Sequence, residues 1–118
     1  MKNHNFIKRL EYAWQGITAS WQSEKSFRTQ ILASGLIVLI LILTRPTAFW
    51  WAILLLTCGL VLALELVNTA VEKLIDHLHP EIHPVLKIVK DALAGAVLVA
   101  SIVSICIFLA FIADIFNI

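Results

Sequence analysis

The sequence predicts an all-α membrane protein: three transmembrane helices behind an N-terminal amphipathic surface helix, the bundle completed by oligomerisation. Composition is the first observation. The 118 residues are 60% hydrophobic and only 14% charged, with mean hydropathy +0.90, whereas a soluble domain carries about a quarter charged residues. The second is a set of long apolar runs between polar breaks, which only helices can present to lipid without stranding backbone polar groups. The third is that the basic residues gather on one side of those runs. A single domain covers residues 1–118. The net charge of +1 argues against a nucleic-acid partner, and Cys58 and Cys106 sit inside apolar runs, where packing is the expected role.

Residues 5 to about 26 suit the surface helix. Phe6, Leu10, Ala13, Trp14, Ile17 and Trp21 recur at three- and four-residue steps, while Lys8, Arg9, Glu11, Gln15 and Gln22 point elsewhere. Trp14 and Trp21 suit the headgroup layer. The first thirty residues are polar and mixed, so no cleaved signal is expected, and the chain should enter the membrane through its first span. That span covers residues 29–44. Sixteen residues at about 1.5 Å each reach roughly 24 Å, short of a core of about 30 Å. Arg45-Pro46-Thr47 breaks the helix, and a second span covers residues 48–67, with Phe49, Trp50 and Trp51 at its outer boundary and helix continuing to Asp76. His77 to Pro84 reads as a polar loop, and the third span covers residues 92–111. Asp114 reads as a solvated end charge. Ala92, Ala96, Ala100 and Ser104, with Gly95 beside them, form a small-residue ridge that lets helices approach closely.

Lys2, Lys8, Arg9, Lys25 and Arg28 precede the first span, and Lys73, Lys87 and Lys90 lie between the second and third; Arg45 alone falls opposite. Basic residues stay on the cytoplasmic side. The N-terminus and the loop before the third span are therefore expected in the cytoplasm, and the C-terminus outside.

The chemistry sits in Glu65-Leu-Val-Asn-Thr-Ala-Val-Glu-Lys-Leu-Ile-Asp76. On a helix, Glu65, Asn68, Glu72 and Asp76 fall within roughly 80° of one another. Glu65 follows a stretch from Thr47 to Leu64 without a charge, and a carboxylate at that depth is costly and usually kept for function. Topology brings Glu24, this stripe and Lys90-Asp91 to one interface. Carboxylate oxygens suit Mg²⁺ and an ammonium offsets phosphate charge. Glu65 and Glu72 are separated by about 10 Å along the axis, too far to ligate one ion together. Glu72, Asp76, Lys87 and Lys90 also read as solvated interface charges, and Asn68 as interhelical glue. His77, His79 and His83, with Asp76 and Glu81, suggest a transition-metal site only weakly, since the loop lacks cysteine; solvated histidines are the better reading. No GxxxxGK[ST] or GxGxxG occurs, so any nucleotide site uses another construction.

These residues resemble the prokaryotic diacylglycerol kinase family of small trimeric membrane enzymes. The resemblance rests on Glu65-Leu-Val-Asn68-Thr-Ala-Val-Glu72, on Lys90-Asp91, and on Glu24-x-x-Phe27-Arg28. It implies ATP-dependent phosphorylation of a lipid alcohol in a homotrimer with shared active sites at the bacterial inner membrane. Glu65 then matches the catalytic base, and Glu24 and Glu72 the ligands of Mg²⁺ at the ATP phosphates. Tyr12, Glu81, His83, Lys90 and Asp91 match ATP-contacting positions, which makes residues 77–83 an adenine-side lid. Trp14, Trp21, Phe27, Arg28 and Asn68 match positions near the lipid substrate. An arginine of the best-known proteobacterial form aligns with Asn5, and a glutamate of that form with Gln30. The segment His83-Pro-x-x-Lys-Ile-x-Lys-Asp-x-x-Ala-Gly-Ala-Val is closer to the Gram-positive branch, which includes undecaprenol kinases. Diacylglycerol is the expected substrate and undecaprenol the alternative. A small transporter using Glu65 as a proton carrier would leave Glu24, Glu72 and Lys90 unexplained, and a membrane assembly subunit held by the alanine ridge would leave the stripe idle.

Overall fold

The computed structural model describes residues 5–118; Lys2, one of the orienting charges, lies outside them. Four helices follow in order: α1 (Phe6–Ser23), α2 (Lys25–Thr44), α3 (Ala48–Leu78) and α4 (Pro84–Ile115). No strand occurs among the described residues. The helices α2, α3 and α4 are each long and apolar enough to cross a membrane.

Asn5 starts α1, its side chain accepting a hydrogen bond from the Lys8 N–H at 2.9 Å. This satisfies one of the free donors of the first turn. The helix stops at Ser23, three residues sooner than the apolar spacing suggests, because Glu24 is extended at φ −119°, ψ 110°. Its N–H still closes on the Ser20 carbonyl at 2.9 Å. The next helix begins at once at Lys25, so the first span gains a polar turn that sequence alone leaves outside it. Thr29 Oγ1 donates to the Lys25 carbonyl within that turn at 3.1 Å. With 20 residues, α2 is about 30 Å long, its first turn carrying Lys25 and Arg28.

Arg45 ends α2 in the left-handed region at φ 50°, its N–H bonded to the Leu41 carbonyl at 3.0 Å, and Pro46 prevents the helix resuming. The 31 residues of α3 run two beyond Asp76. The loop contracts from 77–84 to residues 79–83, because α3 runs on to Leu78 and Pro84 joins α4. Proline suits a first helical position, where its missing N–H costs nothing, and His83 Nδ1 caps the turn by accepting from the Val85 N–H at 3.2 Å.

The packed core lies at the α2–α3 turn, where Leu41, Leu54 and Phe111 are fully buried. Trp50 stacks edge-on against Phe111, ring centres 5.4 Å apart, and its indole Nε1–H donates to Asp114 Oδ2 at 2.9 Å. That corrects the reading of Asp114 as merely solvated. The carboxylate is exposed, but the antiparallel run of α3 and α4 brings it to the one donor the indole has to satisfy. Cys58 is buried as expected, whereas Cys106 is exposed and packs no core in this chain.

The most extensive pairing is between α3 and α4. Part of the small-residue ridge, Gly95, Ala96 and Ala100, faces Thr57, Leu60 and Leu64 across a groove of about 450 Å³. A methyl group added at Gly95 would meet nothing within 4 Å, so the groove stays open. Large apolar side chains such as Trp14 (64% exposed), Leu56 (68%) and Leu109 (60%) project outward. In water these would form an aggregating surface; in lipid they are solvated.

Candidate active site

Two neighbourhoods hold the residues singled out above. The first is where α1, α2 and α3 meet. Glu65 is 3% exposed, and its Oε1 accepts a hydrogen bond from Ser26 Oγ on α2 at 2.7 Å. Phe27, one residue on, is 2% exposed and anchors the start of α2. The surface helix meets α3 here through small side chains together with the half-buried Ile17. Ala13, Gly16 and Ser20 of α1 face Leu66, Thr69 and Ala70 of α3, with Ser20 and Thr69 buried. Trp14 stays exposed and Trp21 borders on it at 36%, as residues addressed to lipid would be.

Arg28 gains a structural task. Its guanidinium Nη1 donates to the carbonyls of Trp21 and Gln22, at 2.6 and 3.2 Å, capping the end of α1. This fixes the elbow between α1 and α2, at whose corner stands Glu24. The Glu24 side chain makes no capping hydrogen bond to α2, so its half-buried carboxylate stays available. One turn beyond Glu65, Asn68 Oδ1 is buried without a hydrogen-bond partner among the described residues. An orphaned buried acceptor costs about 1–3 kcal/mol, so that spot is incomplete until a donor arrives.

The second neighbourhood is a cleft of about 350 Å³ between the end of α3, the loop and the start of α4. Glu72, Asp76, Glu81, His83, Lys90 and Asp91 all line it. Lys90 Nζ bonds to Asp76 Oδ1 at 2.8 Å, with the lysine side chain 34% exposed. Lys87 Nζ bonds to Asp91 Oδ2 at 2.6 Å, but both partners are about two-thirds exposed, at 67% and 64%. Lys90 stands ahead of the apolar run of α4. The hydrogen bond it donates to Asp76 raises its pKa above the usual lysine value; desolvation opposes this, and the charges of Asp76, Glu72 and Asp91 add to the rise. The ammonium is therefore held charged and aimed by Asp76.

Of the expected nucleotide-side residues, Glu72, Glu81, His83, Lys90 and Asp91 come together in this cleft, while Tyr12 and Glu24 line it nowhere. Tyr12 is half-buried on α1. Among the described residues no three His, Cys, Asp or Glu side chains gather as a metal cage. The loop histidines are otherwise engaged: His79 Nδ1 lies 3.0 Å from the Glu81 carbonyl, and His83 caps α4. Mg²⁺ needs no such cage, being held by one or two carboxylates with substrate phosphates and water. Glu24 and Glu72, both half-buried, have the donor chemistry for it.

Nothing in the sequence singles out Ser26, an unspecified position between Glu24 and Phe27; its partner lies 39 residues away on another helix. The Arg28 cap is equally hidden, because it depends on the break at Glu24. Trp50 and Asp114 carried a signal, both standing at the same end of antiparallel spans.

The family model for prokaryotic diacylglycerol kinase matches residues 11–112. The chain is 34% identical over 104 residues to a diacylglycerol kinase of Synechocystis, covering 87% of this chain and 59% of that protein. Against an undecaprenol kinase of Bacillus subtilis it is 33% identical over 101 residues, 86% and 82% of the two chains. Against the diacylglycerol kinase of Escherichia coli it is 34% identical over 99 residues, 84% and 81% of the two. With Glu65 buried under α2 and the Lys90 cleft one helix end away, the match extends over both neighbourhoods, and the chain belongs to the prokaryotic diacylglycerol kinase family.

Proposed function

We propose that this protein transfers the γ-phosphoryl group of ATP to the hydroxyl of a membrane lipid, with diacylglycerol as substrate. One observation carries the reading: a carboxylate 3% exposed, at the end of a long uncharged run, is held among the described residues by a hydroxyl donor and by no cation. A buried carboxylate kept without a counter-charge is expensive, and a proton-accepting role next to an arriving alcohol accounts for it.

Glu65 takes the proton of the lipid hydroxyl as that oxygen bonds to the γ-phosphorus and the bond to ADP breaks. Lys90, aimed by Asp76, offsets charge on the phosphoryl oxygens. Glu81, His83 and Asp91 border the nucleotide in the same cleft, and the family resemblance adds Tyr12 of α1. Glu24 and Glu72 would hold Mg²⁺, which supplies further charge neutralisation at the ATP phosphates when bound. Trp14, Trp21, Phe27 and Arg28 frame the lipid beside Asn68, whose unpaired oxygen suits a hydroxyl donor. The site faces the cytoplasm at the inner membrane, with the C-terminus outside. A homotrimer with shared sites is supported by the open groove at Gly95 and by the outward apolar faces of α2 and α4.

Undecaprenol is the second reading, favoured by the Bacillus subtilis relative and by the 83–97 segment. Purified protein in mixed micelles with Mg²⁺, labelled ATP and each lipid in turn tests the proposal. Label should enter diacylglycerol; label in undecaprenol alone reassigns the substrate, and label in neither rejects the kinase reading. Glu65→Gln, which keeps shape and removes basicity, should lower turnover about 10²-fold or more with ATP affinity little changed.

A further inference from the structure

We infer that Ser26 is a positioning residue for Glu65, an inference that rests on the kinase reading above. A glutamate reaches its carboxylate through three rotatable bonds, and burial restricts but does not aim it. Ser26 supplies the aim from a second helix. Its Oγ donates to Glu65 Oε1 at 2.7 Å, a typical distance for an O–H···O hydrogen bond. With Oε1 so engaged, Oε2 is the oxygen left to accept the proton of an incoming hydroxyl.

The placement follows from local structure. Glu24 leaves the helical region, α2 restarts at Lys25, and Ser26 falls in the first turn, next to the buried anchor Phe27. The elbow is held on its other side by Arg28 on the carbonyls of Trp21 and Gln22. Any change at the elbow therefore reaches Glu65 through Ser26. Its neighbours in the chain, Leu64 and Leu66, are apolar, and Glu65 has no ion pair among the described residues. The bond is part-buried, and misplacing a reacting group by an ångström can cost up to 10²-fold in rate. Ser26 itself is exposed, so the additional methyl of threonine has room.

The test is steady-state kinetics of Ser26→Ala and Ser26→Thr in mixed micelles with labelled ATP and diacylglycerol, normalised to folded protein. For Ser26→Ala, kcat should fall about tenfold while KM for ATP and for lipid stays within twofold; Ser26→Thr, which keeps the hydroxyl, should recover most of the loss. In a Glu65→Gln background Ser26→Ala should cost nothing further, because both act at one group. Unchanged kcat in Ser26→Ala overturns the inference, as does a Thr variant no better than Ala, or losses that multiply in the double variant. If the wild-type protein transfers no label to either lipid, the kinase reading itself fails, and this inference with it. A wild type that works with a silent Ser26→Ala removes the inference alone.

Discussion

The two ends of the bundle each carry a carboxylate bonded to a neighbouring helix, and they use it differently. At the α2–α3 turn, Asp114 accepts from Trp50 beside the fully buried Leu41, Leu54 and Phe111. The carboxylate is exposed, the rings beneath it are packed, and the arrangement is complete as it stands. At the other end Glu65 is buried, its neighbour Asn68 has an orphaned oxygen, and a 350 Å³ cleft opens beside Lys90. One end minimises free energy by packing; the other retains unsatisfied groups that a ligand would complete. Stability and activity should therefore respond separately to changes at the two ends.

The largest separation should come from Phe111→Ala. Phenylalanine truncation in a core costs roughly 3–5 kcal/mol. Lipid tails are as apolar as the interior, so the water-transfer part is largely absent and a loss of about 3 kcal/mol is expected, mostly from the cavity. Thermal unfolding in detergent should show it, while turnover per folded protein stays within twofold. A matching loss of turnover would show that the two ends are coupled and break the comparison.

Next comes the pair of lysines in the cleft. Lys90 and Lys87 lie three residues apart on one helix, each bonded to an aspartate. Lys87–Asp91 is a highly exposed i,i+4 pair, a class that contributes little. Lys90 reaches across from α4 to α3 and is aimed by Asp76. Lys90→Ala should reduce phosphoryl transfer by more than tenfold, whereas Lys87→Ala should cost about twofold. Equal losses, each with reduced membrane insertion, would make both lysines headgroup anchors.

How far the sequence foretold this depended on the distance over which each feature is determined. The stripe from Glu65 to Asp76 was legible because helical periodicity is local, whereas Glu81 and His83 came into view as nucleotide contacts only through the family resemblance. The break at Glu24 was not legible: Ser23-Glu24-Lys25 holds no glycine or proline, and the Arg28 cap that holds the elbow joins residues six and seven positions apart. Ser26 inherits that invisibility. Its bond to Glu65 needs α2 to start at Lys25 and approach α3, and neither fact lies within a few residues of Ser26. Arg45 was legible as a stop through Pro46, but its left-handed backbone was not.

The smallest effect should come from Trp50→Phe. The substitution preserves the edge-on ring contact with Phe111 and deletes the indole N–H that Asp114 accepts. Since Asp114 is exposed, water takes over as its partner and no buried charge is stranded, so the net loss is that of one hydrogen bond, about 1 kcal/mol. Thermal unfolding in detergent should register that small decrease, and turnover should be unchanged. The same deletion at the opposite end, Ser26→Ala, removes one donor from one carboxylate as well, yet there it should appear in kcat. A Trp50→Phe protein that lost turnover to the extent of Ser26→Ala would mean that the Trp50–Asp114 bond sets the geometry of α3 as far as Glu65, and the division between a packed end and a working end would fall.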